Sequence, residues 1–277
     1  MSTRKAWEGN AALTVTHSLI DPSALEGEVR RHYDLPGPIS VLLLSRWLSD
    51  VYLVRAGDDR FVLKVYRAEW RTLAHILYEL DLVRHLAGRG VRVSMPVARK
   101  DGAFVTPLEA PEGTRHAVVF TFAAGRPPRI DAAGGEAYGR LAASLHAAMD
   151  DVAPGRAPLT LDLDHLIRAP LVSLDPFLDG RPTDRASLRD VAARLEREIG
   201  KLAATGLSWG VCHGDLNGGN VHVDKDGAMT AFDFDCAGGG WRAYDLAVFR
   251  WGTLPNADAD ATWACLLYTS PSPRDRQ

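Results

Sequence analysis

Features that mark several protein classes are scarce in this chain. No apolar run approaches the roughly 18 residues that span a bilayer, and the first ten residues lack an apolar export segment. Only three cysteines occur, and none belongs to a CxxC pair, which argues against a disulfide framework and against a zinc site. We therefore expect a cytoplasmic protein that holds free thiols and does not bind membranes.

An excess of charge of either sign is also missing. The net charge is −3, which provides no electrostatic attraction for nucleic acid. Hydrophobic residues make up 46% and charged residues 24% of 277 residues, as in ordinary globular proteins. A chain of this length can form two hydrophobic cores, and nothing in it indicates an oligomeric state.

The hydrophobic periodicity changes along the chain and predicts an α+β, two-lobed fold. A short helix begins at Asp21-Pro22. A longer helix spans Trp70 to Leu86, with a predicted apolar face made of Leu73, Leu77, Leu80, Val83 and Leu86. Beyond AAGRPP, helical patterns dominate at 136–151 and 187–202, separated by an irregular stretch at 153–181. β-Type runs predict a small five-stranded antiparallel sheet, with strands at 39–47, 50–57, 60–67, 102–108 and 115–122.

These patterns predict an N-terminal lobe over 1–122 and a mainly helical C-terminal lobe over 123–264. The last segment, 265–277, runs from an apolar triplet into Ser, Pro and Arg, which predicts irregular chain. It also matches one reading frame of a transposase sequencing adaptor. We therefore expect a non-native tail after an incomplete second lobe.

The octapeptide HGDLNGGN, at 213–220, precedes a predicted hairpin whose turn is Asp226-Gly227. A two-residue loop would pair Asn220 with Asp233, whereas a three-residue loop would shift the register by one and leave them neighbours. An amide oxygen and a carboxylate that meet at the open end of a hairpin suit Mg²⁺, which takes few protein ligands. Asp215 faces the same region and can accept a proton from a hydroxyl, while His213 is expected to hold the turn.

Lys64 is surrounded by apolar and aromatic residues in FVLKVY. Because a buried charge is costly without a partner, we expect it to pair with Glu79 on the following helix or with a phosphate. The alternative is an edge-strand lysine that reaches the solvent.

Together these residues resemble the aminoglycoside phosphotransferase and choline kinase group, which is related to protein kinases. The resemblance extends from about residue 19 to 250. It rests on HGDLNGGN, which fits the catalytic-loop pattern HxDxxxxN, and on DFD at 233–235, YDLA at 244–247, ASLHA at 143–147 and FVLKVYR with Glu79. The segment THSLID favours the homoserine-kinase-like branch. The implied fold is protein-kinase-like, with ATP and Mg²⁺ as cofactors and a small-molecule hydroxyl as acceptor.

The resemblance implies a role for each matching residue. Asp215 would be the catalytic base, and Asn220 and Asp233 would bind Mg²⁺, with Asp235 either assisting the metal or serving a structural role. Lys64 would hold the ATP phosphates and be oriented by Glu79. The backbone of Thr121, Phe122 and Ala123 would contact adenine. Asp245 would brace the catalytic loop, and His146 would be a core histidine.

One departure from the family concerns the turn after the first strand, where relatives carry Gly and Asn over the phosphates. Here the stretch is SRWLSD, in which Ser49 and Asp50 can still supply a hydroxyl and a turn, but Trp47 prevents the close backbone approach that glycine allows. The leading hypothesis is a small-molecule kinase. The alternatives are a bacterial stress-response Ser/Thr protein kinase and an inactive nucleotide-binding fragment.

Overall fold

The computed structural model describes residues 15–270. Backbone contacts divide it into two compact units. The first contains the described residues up to Leu73 together with Pro96–Phe122, and the second contains Ala74–Met95 and the chain from Ala123 onward. Over the described range, no helix combines the length and the apolarity that crossing a bilayer requires.

The first unit contains helix α1 (Pro22–His32) and a five-stranded antiparallel sheet, and the sheet is as the sequence predicted. Helix α1 begins at Asp21, whose carboxylate accepts a hydrogen bond of 2.9 Å from the Ser23 amide. Its buried residues pack on the sheet, whose order is β1-β2-β3-β5-β4. The strands are β1 (Ile39–Arg46), β2 (Ser49–Ala56), β3 (Asp59–Tyr66), β4 (Thr106–Ala110) and β5 (Gly113–Thr121).

Two boundaries in this sheet differ from the prediction. Strand β4 was expected to begin near residue 102, but Gly102 has a φ of +84° and closes a turn with Arg99, so pairing starts only at Thr106. Between β1 and β2 the chain reverses through Trp47 and Leu48 alone, and the Trp47 side chain is 80% exposed.

Helix α2 (Leu73–Gly88) lies where a helix was predicted, but the prediction of its buried face was only partly right. Leu80, Val83 and Leu86 are buried as expected, whereas Leu73 and Leu77 are about half exposed. Ile76 completes the buried stripe instead, because its position is four residues before Leu80 and therefore lies on the same helix face. From Ala74 onward, α2 belongs to the second unit.

The second unit is mainly helical. Both predicted long helices are present, with earlier starts: α3 (Ala132–Ala148) is capped by Asp131, and α5 runs over Pro182–Ala204. In the core, the ring of Tyr138 on α3 stacks on Phe249 with centroids 3.9 Å apart. The stretch expected to be irregular contains short elements, among them α4 (Ala169–Leu174) and β6 (Thr160–Leu161). Helices α6 (Ala243–Thr253) and α7 (Ala259–Thr269) follow the catalytic segment.

Short strands flank the segment HGDLNGGN. β10 (Gly238–Trp241) lies between β6 and β7 (Trp209–Cys212), while β8 (Val221–Val223) and β9 (Met229–Ala231) form a separate hairpin. At the C-terminal end of the described range, α7 includes residues 265–269, for which the sequence predicted irregular chain. The helix continues there because Leu266 is fully buried against the core, and it ends at Ser270, just before a proline. Residues 271–277 of the expected tail lie outside the described range.

Candidate active site

The loop after β7 makes a turn that only glycine can occupy. Gly214 has a φ of +82°, and a β-carbon added there would lie 2.0 Å from the carbonyl oxygen of Cys236. The turn thus packs directly on the chain that follows the hairpin, and Asp215 comes immediately after it. Close backbone packing, rather than flexibility, explains this glycine.

Asp245, in the first turn of α6, braces the loop that begins at His213, as the resemblance implied. Its fully buried carboxylate accepts hydrogen bonds of 2.9 Å from the backbone amides of His213 and Gly214, and one of 2.8 Å from His146 Nε2. Burial alone would raise the pKa of Asp245, but these donors and the two nearby imidazoles hold it below its ordinary value. Asp245 is therefore an ionised structural brace, and His146 is a core histidine.

His213 holds the turn, as predicted. Its Nδ1 accepts from the Asp215 amide at 3.3 Å, and its Nε2 lies 3.1 Å from the Phe232 carbonyl oxygen. These contacts use Nδ1 as an acceptor and place Nε2 against a carbonyl acceptor. The ring also packs on Phe234, with centroids 4.2 Å apart. The contacts with Phe232 and Phe234 thus join the loop to the chain after the hairpin.

Asp215 is half-buried, and both of its carboxylate oxygens accept hydrogen bonds from side-chain amides. Asn217 Nδ2 donates to Oδ1 at 3.0 Å, and Asn220 Nδ2 donates to Oδ2 at 3.0 Å and to the Asp215 carbonyl at 2.9 Å. Burial raises the pKa of Asp215, although these bonds oppose the shift. The carboxylate is thus fixed in direction and more basic than an exposed aspartate.

The sequence analysis did not identify Asn217 as a site residue. Its side-chain oxygen also accepts from the Gly219 amide at 2.7 Å, and its carbonyl accepts from the buried Tyr138 hydroxyl at 3.1 Å. One sequence signal could have identified Asn217: it lies two residues after Asp215, and Asn readily forms hydrogen bonds to the nearby backbone in such turns.

The hairpin has the three-residue loop, which was the second alternative in the prediction. Asp224 and Ala228 are linked by a backbone hydrogen bond of 3.0 Å, and Val221 pairs with Ala231, so Asn220 lies opposite Phe232 rather than Asp233. Asp233 follows one position later with a φ of +66°, which is unusual for a residue with a side chain. The chain therefore turns sharply at this carboxylate.

The side-chain oxygens of Asn220 and Asp233 suit a hard cation that takes its remaining ligands from phosphate and water. Within residues 15–270, no three His, Cys, Asp or Glu side chains are grouped as a metal site. Mg²⁺ needs only one or two protein ligands beside phosphate and water oxygens. Because Asn220 uses its nitrogen toward Asp215, its side-chain oxygen is the atom that can coordinate a cation, alongside the carboxylate of Asp233.

Lys64 and Glu79 are both buried ionisable residues. Lys64 is 5% exposed and pairs with Val51 and Val118 in the middle of the sheet. The alternative of an edge-strand lysine is therefore wrong, because β3 has a neighbour on each side. Its ammonium group lies 4.8 Å from the centre of the Tyr66 ring. Glu79, on α2, is 3% exposed.

The residues predicted to contact the nucleotide differ in their surroundings. Asp50 is fully buried, and its carboxylate bonds to the buried Arg115 guanidinium at 2.7 Å, so this group is committed to an ion pair inside the first unit. Ser49, next to it, is also buried. The remaining three, at the end of β5 and just beyond it, are Thr121, Phe122 and Ala123.

His222, which the sequence analysis passed over, lies next to the last of these. Its Nδ1 is 2.7 Å from the carbonyl oxygen of Ala123, and its ring meets Phe232 edge-on, with centroids 4.9 Å apart. The backbone of Arg126 also pairs with Val223. The segment after residue 122 is thus joined to the catalytic hairpin.

Comparisons with known proteins agree with this geometry. Residues 41–264 match the phosphotransferase enzyme family, APH. An uncharacterized protein of Deinococcus radiodurans is 46% identical over 86% of this chain and 69% of its own length. The homoserine kinase of Cupriavidus necator is 30% identical over 72% of this chain and 60% of its own length. The chain thus spans about two thirds of the length of the curated relatives it matches.

Solved structures give the same fold. An amicoumacin kinase in complex with AMP-PNP, Ca²⁺ and its antibiotic superposes with a TM-score of 0.71 at 20% identity, covering 90% of this chain and 77% of that one. A microcompartment-associated aminopropanol kinase gives 0.67 at 22% identity, with 91% and 82% covered. The choline kinase of Streptococcus pneumoniae gives 0.61 at 15% identity, with 92% and 83% covered. The predicted kinase-like α+β fold is confirmed.

Proposed function

Because this chain belongs to the phosphotransferase enzyme family, we propose that it is a cytoplasmic, ATP-dependent kinase whose acceptor is a hydroxyl of a small polar metabolite. The observation that carries this proposal is the Asp215 carboxylate, which two side-chain amides orient on a loop braced by Asp245. A turn with a purely structural role would not need a carboxylate that is oriented by two amides and braced by a second, buried carboxylate.

In the proposed reaction, the acceptor hydroxyl oxygen attacks the γ-phosphorus of ATP, and the bond to the β,γ-bridging oxygen breaks to release ADP. The hydroxyl proton passes to Asp215, whose raised pKa suits a general base. Phosphoryl transfer depends mainly on positioning and on neutralising charge. The hydrogen bonds from Asn217 and Asn220 keep the carboxylate in the direction needed to receive the proton.

Four further residues complete the proposed site. Asn220 and Asp233 would hold Mg²⁺, which neutralises phosphate charge when it is bound. Lys64 would bind the α- and β-phosphates and Glu79 would orient it, which agrees with the burial of both ionisable groups. The backbone at 121–123 would contact adenine, and Ser49 would lie near the phosphates. The ion pair of Asp50 gives that residue a structural role instead.

The relatives support a proposal for the acceptor class. Homoserine kinases and an amicoumacin kinase are among the similar proteins, and each name denotes a small molecule with several polar groups. We propose a hydroxylated amine or amino acid as the acceptor, with the homoserine-like branch as the first to test. A Ser/Thr protein kinase would use the same site residues, but the names of these relatives favour a small molecule.

The test is ADP release with Mg²⁺ and ATP across a panel of hydroxylated amines and amino acids, with Asp215→Asn as the control. Turnover above this control for at least one acceptor supports the proposal. If no acceptor exceeds the control while ATP still raises the melting temperature, the chain is a nucleotide-binding protein and not a kinase. Transfer of ³²P only to added proteins would favour the protein kinase alternative.

A further inference from the structure

A cleft of about 630 Å³ lies within the second unit, and the loop at 213–220 does not line it. One wall is the turn that follows α2, residues 89–92, and the other is the outer face of α3. The tip of the catalytic hairpin, at Gly227 and Met229, closes one end. The volume falls within the range of small-molecule sites, and no role proposed above uses this cleft.

The charged side chains that line this cleft are all arginines. Arg89, Arg92 and Arg140 line it, and none of the described lining residues is Asp or Glu. The guanidinium fork binds two oxygens of a carboxylate or phosphate at once. Three such groups around one concave surface therefore create a site for an anion.

Each arginine already has an acidic neighbour outside the cleft: Arg89 contacts Asp151, Arg92 contacts Asp224 at 3.0 Å, and Arg140 contacts Glu136. These arginine side chains are 53%, 55% and 60% exposed. Exposed pairs of this kind contribute little net stabilisation in water. An incoming anion can therefore share or replace them without disturbing the fold.

The floor of the cleft is apolar. Leu141 is 8% exposed, Val91 and Met229 are partly buried, and Ala137 and Ala147 provide a smooth helix face between the arginines. An inorganic anion would leave this floor wet, whereas a ligand with an apolar body would cover it. The combination selects a small amphipathic anion.

The cleft is also tied to the catalytic hairpin through the backbone. The Ala231 amide donates to the Arg92 carbonyl at 3.0 Å, and the Ser94 amide donates to the Ala231 carbonyl at 3.0 Å, so residues 92–94 extend β9. The Arg92–Asp224 ion pair links the same turn to the hairpin tip. A ligand that engages Arg92 therefore binds to a residue whose backbone is hydrogen-bonded to β9.

From these observations we propose that the cleft is a binding site for a small organic anion, with a carboxylate or phosphate head and an apolar body. The proposal concerns binding alone, and it does not depend on whether the chain is a kinase. Carboxylate and phosphate heads share the recognition chemistry, and the experiment distinguishes them.

The test uses ¹⁹F NMR titration of the full chain with 4-fluorophenylacetate, 4-fluorophenyl phosphate and the neutral 4-fluorophenylacetamide. We expect saturable binding of at least one anion and at least about tenfold weaker binding of the amide, which corresponds to the loss of one charge-assisted contact. The tighter of the two anions identifies the preferred head. Equal affinity for the amide would overturn the proposal, as would the absence of saturation for both anions.

Three variants localise the site. Arg140→Gln should weaken the anion about tenfold, whereas Glu136→Gln should tighten it, because that change frees the Arg140 guanidinium. Arg197→Gln, an equally exposed arginine on α5, is the matched control and should leave affinity unchanged. Ala147→Trp fills the cleft without changing charge and should abolish binding, with the melting temperature measured to confirm folding. An equal loss in the Arg197 variant, or retained binding with Trp at 147, would overturn the assignment.

Discussion

The catalytic loop and helix α5 belong to the same unit but are built in opposite ways. In the loop, His213, Asp215 and Asn217 all bond through their side chains, and the brace beneath them is fully buried. In α5, Ala192 is the one buried residue of the described 23, and Leu195 and Leu202 are 43% and 54% exposed. We therefore expect substitutions in the loop to be costly and most substitutions on α5 to leave the fold intact.

The largest effect is expected from Asp215→Asn. The substitution keeps the shape but removes the proton acceptor, so we expect kcat to fall by roughly a thousandfold. The melting temperature should change little, because the carboxylate is only half-buried. Steady-state kinetics and thermal unfolding of the same preparation check both expectations. Unchanged kcat would show that Asp215 does not act as the base.

Removing the brace should affect stability as well as activity. Asp245→Ala leaves two buried amides and His146 without their acceptor, and we expect the free energy of unfolding to fall by about 3–5 kcal/mol. Asp190→Ala, on the exposed face of α5, should change it by less than about 0.5 kcal/mol. Urea unfolding of both variants gives the comparison. Similar losses would contradict the contrast between loop and helix.

A pair of glycine substitutions tests the same contrast at the level of the backbone. Gly214→Ala should cost about 1–3 kcal/mol from its backbone angle alone, and the contact with Cys236 adds to that cost. Gly200→Ala should stabilise α5 by about 0.5–1 kcal/mol, because nothing lies within 4 Å of the added methyl group. Denaturant midpoints measure both. A stabilising effect at 214 would refute the tight packing of the turn.

The smallest effect concerns the pH dependence of Asn217→Ala. Burial raises the pKa of Asp215, so the base is lost as pH falls through a value above that of an exposed aspartate. Asn217 opposes this shift through its hydrogen bond. Its removal should raise the pKa further and move the acidic limb of the kcat profile to higher pH. A shift to lower pH would mean that the bond does not favour the charged form.

Sequence patterns predicted the order of the elements because the alternation of apolar residues in strands, and their three- and four-residue spacing in helices, reflect which side chains are buried. The hairpin register was left open, since Asp226-Gly227 suits both a two-residue and a three-residue loop, and the choice depends on Gly227, whose φ is +80°. The exposure of Leu77 could not be read from helical spacing, because several overlapping stripes fit α2. Asn217 and His222 were missed, since their roles depend on contacts with Asp215 and Ala123 that only the folded chain brings together.

Asp245 also sets the order in which the protein can mature on the ribosome. The loop at 213–220 leaves the exit tunnel about 30 residues before its brace does, because the acceptor for the amides of His213 and Gly214 lies in α6. Until residue 245 emerges, these amides lack the acceptor that they have in the folded chain. The catalytic loop therefore reaches its final form late in synthesis, after most of the second unit has been made.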